Sequence, residues 1–332
     1  MVPAKSKPKS LLVIILPLGL IIIGCLYFTN LTKALDLLKK NMGPFQVLVI
    51  LVLSWISISW EVLRLRVYFP PTRYSFSIIK LYHVVMAALT LTYSVPVNLG
   101  IPIRVVLMEK LLGISYATGI GIVVFDWFLS YVITGGVALI AIYTLFPLQQ
   151  TGFLISSMAV VLVLFLVFYL LRSINVSGIK GKGLVGLTKR CAEWLPDKWR
   201  PALDLLTLRT ILLNCLLFLM GIILAALRLE SILLGMGEDL SLLKLAFVAC
   251  IVYTVSTLSM IPLGFGIKEI TLVVLLKQTG IDMDIATTSA LIERLVTTGL
   301  GFSIGLYSIY HLGIGEILSE QKKNGMSAKT FS

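Results

Sequence analysis

Long apolar runs alternate with short polar ones along this chain, and run length is the first guide to its elements. Eight runs are long enough to cross a bilayer as helices, at about 11–29, 44–62, 76–95, 116–146, 152–172, 208–229, 240–261 and 284–311. A helix needs about 20 apolar residues to span the hydrocarbon core. The apolar positions surround each predicted helix without forming one stripe, as expected where both lipid and protein neighbours are apolar. Two further segments, 97–113 (VNLGIPIRVVLMEKLLG) and 262–280 (PLGFGIKEITLVVLLKQTG), are apolar but too short for an ordinary span. Each opens near Pro or Gly and continues as a short helix, so each is expected to be a broken or re-entrant helix.

The two short segments belong to similar surroundings. Gly113 leads into a long apolar run that carries Asp126, and Gly280 leads into one that carries Glu293 at the same offset. The order span, Gly/Pro break, short helix, Gly, long span therefore occurs twice, at 76–146 and 240–311, and predicts an internal repeat. Gly301-x-x-x-Gly305 and Ala117-x-x-x-Gly121 place small residues where helices can approach closely.

Composition sets the class. Apolar residues make up 58% of the chain and charged residues 13%, against about 25% charged in a soluble domain. The expectation is an all-α polytopic membrane protein: one integral membrane domain over 1–332 with about eight spans and two short broken helices. The longest polar stretch, about 173–208, is too short for a core of its own. The net charge of +12 is carried largely by interhelical segments and tails. That matches cytoplasmic loops facing anionic headgroups and excludes nucleic acid as the expected partner.

Basic residues mark the N-terminus, residues 63–80 and the loop 173–207, whereas 230–239 is acidic. Placing every basic segment, and so the N-terminus, in the cytoplasm requires the first short segment to carry the chain across, which makes the repeats inverted. Parallel repeats result if the short segments dip and return. The favoured expectation is inverted repeats in a bacterial or archaeal plasma membrane, with a polar tail at 312–332. The apolar run after the basic N-terminus continues through Phe28, so an uncleaved first helix is expected rather than a signal peptide.

Intramembrane charge marks the candidate site, because an ionised side chain at mid-bilayer costs about 2.5–3.5 kcal/mol on insertion scales. Pro262, Gly264 and Gly266 break the chain, and Lys268 and Glu269 follow in the first turn of a short helix. Free N–H groups there suit an anion such as a lipid phosphate, Lys268 adds to that, and Glu269 can cap the helix or pair with a neighbouring cation. Arg104, just after Gly100, opens the matching short helix and has the geometry for two-pronged phosphate binding. Asp126 lies about 15 Å into its span and needs a partner from elsewhere, with Arg104 and Arg294 as candidates. Glu293 and Arg294 point about 100° apart on one helix, so each is expected to have its own partner. Glu109 and Lys110 read as interfacial, His83 as a packed hydrogen-bonded residue and His311 as a helix end. Cys25, Cys191, Cys215 and Cys250 show no CxxC spacing, and no cofactor, metal site or catalytic motif is expected.

The pattern Pro262-x-Gly264-x-Gly266-x-x-Glu269, then Gly280, then Glu293-Arg294 resembles the second half-signature of the lysylphosphatidylglycerol synthase transmembrane-region family. Asn98-x-Gly100-x-x-x-Arg104, then Gly113 and Asp126, is similar to the first half-signature. It departs from it at Ile101 and Trp127, where the family usually has an acid and an Arg. The resemblance covers about 10–312 and implies a flippase-like membrane domain. A soluble aminoacyl-transfer domain follows it in two-domain members and is not expected in this chain. The implied work is moving an anionic phospholipid or a polyprenyl-phosphate-linked lipid between leaflets. The rival expectations are a membrane-embedded lipid-modifying enzyme and a non-transporting partner of a glycosyltransferase.

Overall fold

Nine α-helices account for the regular structure of the described residues. The computed structural model describes residues 42–94, 100–145, 200–259, 264 and 266–313. The helices are α1 (Pro44–Tyr68), α2 (Ile78–Ser94), α3 (Gly100–Leu112), α4 (Tyr116–Leu145), α5 (Arg200–Leu205), α6 (Leu208–Gly235), α7 (Leu242–Leu258), α8 (Ile267–Gln278) and α9 (Met283–His311). The expected spans at 11–29 and 152–172, the loop 173–199 and the tail beyond 313 lie outside the described residues.

Local signals set the helix ends. Pro44 occupies the first turn of α1, where its missing N–H costs nothing. Thr207 caps α6 by accepting from the Thr210 N–H at 3.1 Å, and Asp282 caps α9 by accepting from the Asp284 N–H at 2.9 Å. Both short helices stop at a left-handed glycine, Gly113 after α3 (φ +69°) and Gly280 after α8 (φ +101°). After α8, the N–H of Ile281 bonds back to the Leu276 carbonyl at 3.1 Å, closing a Schellman turn.

One boundary differs from the sequence reading in a way that matters. The first described span was expected to end at Val62 and give way to a basic segment over 63–80. Instead α1 runs on to Tyr68, and only 69–77 is non-helical. Arg64 and Arg66 are thus helical, and Arg64 turns inward to a buried partner rather than outward to water. Among the described residues three helices, Pro44–Tyr68, Tyr116–Thr144 and Leu208–Gly235, are long and apolar enough to cross a membrane. At 29 residues α9 is long enough, but it buries Thr288, Ser289, Glu293, Arg294, Thr298 and Ser308. It is built to face protein more than lipid. Exposed Phe45, Leu48, Leu212 and Leu216 give α1 and α6 an apolar outer surface.

Packing follows a regular scheme. α1 packs on α6, while α2 packs on α9 and α4 on α7. Within the chain order, α2–α3–α4 and α7–α8–α9 pack sequentially. α1 also touches α2 and α9, and α6 touches α7 and α4. Exchanging α1–α4 with α6–α9 reproduces each of these pairs. The buried apolar residues fall into two main clusters to match. One is centred on Tyr68, Leu81, Val84, Met108 and Ile122, the other on Leu233, Leu245, Val248, Leu276 and Ala286.

Small residues allow the closest helix contacts. A Cβ on Gly305 of α9 would lie 1.6 Å from Thr90 Oγ1 and 2.5 Å from the Met86 carbonyl oxygen of α2. A Cβ on Gly121 of α4 would lie 2.5 Å from Ala202 of α5. His83 Nδ1 is 3.1 Å from Ser308 Oγ, a hydrogen bond that also joins α2 to α9, and His311 ends α9. Glu109 and Lys110 are exposed at the end of α3.

Candidate functional site

α7 ends at Leu258 and α8 begins at Ile267. In the connection between them, Gly264 and Gly266 adopt φ of +60° and +77°, a region that strains residues with a Cβ. Gly264 also presses against α7, where an added Cβ would lie 1.9 Å from Ser256 Oγ. Pro262 is outside the described residues. Gly266 is the N-cap of α8 and supplies no side-chain acceptor, so the first N–H groups of α8 are left without that cap. Glu269 in the first turn complements the positive helix end.

Lys268 faces a cleft of about 460 Å³ bounded by α1, α4, α6, α7, α8 and α9. Ionisable side chains from five of those helices line it: Glu61 and Arg64, Asp126, Arg228, Lys268, Glu293 and Arg294. Trp60, Trp127, Phe218 and Tyr253 give it aromatic walls. The guanidinium carbon of Arg64 stands 4.0 Å from the Phe218 ring centre, a cation–π contact. Ser130 Oγ and the Tyr253 hydroxyl, 3.1 Å apart, link α4 to α7.

The charges form discrete pairs. Arg64 Nη2 donates to Asp126 Oδ2 at 2.5 Å, and the Tyr68 hydroxyl donates to Asp126 Oδ1 at 3.2 Å. Arg228 grips Glu293 with two hydrogen bonds, Nε to Oε2 at 2.7 Å and Nη2 to Oε1 at 2.5 Å. Lys268 Nζ approaches the same Oε1 at 3.9 Å. Arg294 Nε lies 3.3 Å from Glu269 Oε1, and Arg104 Nη2 donates to Glu61 Oε1 at 2.6 Å. Burying so many ions costs several kcal/mol each before pairing, and pairing seldom returns more than that. Intramembrane ion networks of this kind mark functional sites by default.

Of the residues singled out in the sequence, Asp126, Lys268, Glu293 and Arg294 meet at the cleft, and Glu269 stands behind Arg294. Gly100 begins α3, as expected for the matching short helix. Arg104 on α3 does not line the cleft; its guanidinium is engaged by Glu61. The partner of Asp126 is neither Arg104 nor Arg294 but Arg64. Glu293 and Arg294 have separate partners, as their angular separation requires.

Three residues of the network, Glu61, Arg64 and Arg228, escaped the sequence reading. Arg64 follows the point where the apolar run gives way to basic residues, so by sequence it groups with the basic segment 63–80. Arg228 lies near the end of a long apolar run, where a cation can snorkel to water. A usable signal was present: Arg64 and Arg228 precede their carboxylate partners by 62 and 65 residues, so each long span with an acid has an Arg at a similar remove.

The helices and their apolar outer faces define a helical membrane protein, with a charged cleft between its helices. The chain belongs to the lysylphosphatidylglycerol synthase TM region family, whose family model matches residues 11–305. Comparison with curated proteins gives no match.

Proposed function

We propose that this protein moves an anionic lipid headgroup between leaflets, with the charged cleft as the headgroup's path. The observation that supports the reading most is the set of buried ion pairs joining α1, α4, α6, α8 and α9 around one cavity. A headgroup in the hydrocarbon core needs polar partners that replace water. Paired side chains supply them, because a charge can pass from its protein partner to the ligand and back. Lys268 is the phosphate ligand in this reading, and Glu269 holds Arg294 and the start of α8 in position.

The exchange pattern of the helix packing supports two related units, α1–α4 and α6–α9, each extending the expected repeat by one preceding helix. The Arg64–Asp126 and Arg228–Glu293 pairs occupy equivalent places in them. Two such units rocking against each other would open the cleft to one leaflet at a time. The favoured placement keeps the basic loops on the cytoplasmic face of a plasma membrane.

The test is translocation in proteoliposomes containing the purified protein and labelled phosphatidylglycerol, its lysyl derivative or a polyprenyl phosphate. The expected result is movement of one class that is lost in folded Glu269→Gln. No movement of any of the three by folded wild-type protein, with or without an ion gradient, overturns the transport reading on that panel. A chemically changed lipid in the same vesicles would point to an enzyme. Inertness until a glycosyltransferase is added would point to a partner subunit.

A further inference from the structure

The ion pairs around the cleft do not balance. Among the described residues of the network, five cations (Arg64, Arg104, Arg228, Lys268 and Arg294) face four carboxylates (Glu61, Asp126, Glu269 and Glu293). Each carboxylate has one arginine in contact. Lys268 is the surplus: its only ion-pair contact among the described residues, at 3.9 Å, is with an oxygen that already accepts from Arg228 at 2.5 Å.

The surplus is also confined to one side. Gly113 and Gly280, Asp126 and Glu293 stand in the same register in the two halves. At that register Ile101, Pro102 and Trp127 take the places of Lys268, Glu269 and Arg294. The cavity follows the same asymmetry, since α7 and α8 line it whereas the described residues of their counterparts α2 and α3 do not. The charges contributed by α6, α8 and α9 therefore include one cation more than carboxylates, whereas those of α1, α3 and α4 balance. Next to Asp126 in sequence, Trp127 adds an uncharged aromatic side chain to the lining, as do Trp60, Phe218 and Tyr253.

We infer that the cleft takes a headgroup with a single net negative charge, a phosphodiester, seated with its phosphate at Lys268 and its uncharged remainder towards Trp127. This rests on the reading of the cleft as a headgroup site. One phosphodiester charge makes the occupied network neutral. A phosphomonoester lipid, doubly charged above its second pKa of about 6, leaves an excess anion in a poorly solvated site. A zwitterionic headgroup brings a second cation to a site with no spare carboxylate among the described residues.

The test measures binding separately from transport. Short-chain phosphatidylglycerol, phosphatidic acid and phosphatidylcholine, below their micellar concentrations, are titrated into the full chain in detergent at pH 8. Acyl-free glycerophosphoglycerol is a fourth ligand. Phosphatidylglycerol is expected to bind at least about tenfold more tightly than phosphatidic acid and phosphatidylcholine, whose charge does not match the network, and more tightly than the acyl-free diester, which has no acyl chains to bury. Lys268→Gln should abolish that preference and Lys268→Arg should keep it. Arg228 still holds Glu293 in both variants, so both are expected to fold, with thermal melting as the check.

Equal or tighter binding of phosphatidic acid or phosphatidylcholine overturns the inference. So does an undiminished preference in folded Lys268→Gln. Equal binding of the acyl-free diester would make the ligand a soluble anion and overturn its lipid part. Selective binding without translocation leaves this inference standing and removes the transport reading. Translocation without single-charge selectivity does the reverse.

Discussion

Replacing Arg228 with methionine should be among the most damaging single changes in the described part of the protein. The side chains of Arg228 and Glu293 are only 8% and 9% exposed and share two short hydrogen bonds. Methionine fills a similar volume but leaves the Glu293 carboxylate with Lys268 alone, 3.9 Å away. Removing one member of a buried pair costs up to about 3–5 kcal/mol, here because Glu293 loses both hydrogen bonds and keeps only the more distant Lys268 as a counter-ion. That is roughly two to three and a half orders of magnitude in the folding equilibrium. Replacing both members with methionine should recover only part of the loss: apolar side chains of similar volume can replace a buried pair, but Lys268 then loses the carboxylate 3.9 Å away. The assay is equilibrium unfolding in detergent of the wild type, Arg228→Met, Glu293→Met and the double variant, followed by tryptophan fluorescence. A hydrogen bond within a membrane protein averages only about 0.6 kcal/mol. If Arg228→Met costs no more than that, the pair is not a buried, mutually dependent charge couple, and the reasoning fails. Full stability in the double variant together with lost translocation would identify the pair as retained for transport rather than for folding.

Gly305→Ala should weaken the α2–α9 seam by about 1–3 kcal/mol, as overpacking does. Thr90→Ala should not restore it, because the Met86 carbonyl oxygen still lies 2.5 Å from the new Cβ; paired melting curves check both statements. Gly266→Ala should cost about 1–2 kcal/mol for a left-handed backbone alone, since no described residue crowds its Cβ. Gly264→Ala should cost more, because the Ser256 side chain adds a clash at 1.9 Å, and the rank order of the two melting points tests this. Thr207→Ala removes the cap of α6 and should cost about 1 kcal/mol, a loss that Thr207→Ser largely avoids in the same unfolding assay.

Much of the helical plan is legible in the chain because lipid imposes a simple rule: backbone polar groups must be paired within the segment, and about 20 apolar residues are needed to cross. The described helices at 78–94, 116–145, 208–235, 242–258 and 283–311 follow apolar runs that can be read directly. The break at Gly264 and Gly266 is equally local, since few residues other than glycine tolerate those backbone angles. So is the common offset of Asp126 and Glu293 from Gly113 and Gly280. Charged residues in apolar surroundings announce that partners exist, because isolated charges there are too costly.

Which partners they find is not local. Arg64 reaches Asp126 because α1 continues past Val62 and turns that face inward. Once Arg64 has a buried carboxylate, there is no longer a gain in bringing it out to water. Arg104 could equally have met Asp126 by sequence criteria, but the position of α3 outside the cleft gives it Glu61 instead. Arg228 becomes a site residue because α6 packs against both α9 and α1, an arrangement that no property of α6 alone specifies. The sequence by itself determined a helical membrane protein, its helix breaks and the presence of intramembrane charge, all consequences of the chain meeting lipid one segment at a time. Only the tertiary structure decided the pairing, and with it the surplus charge of Lys268, because ion pairs form between helices whose relative placement depends on the packing of the whole bundle.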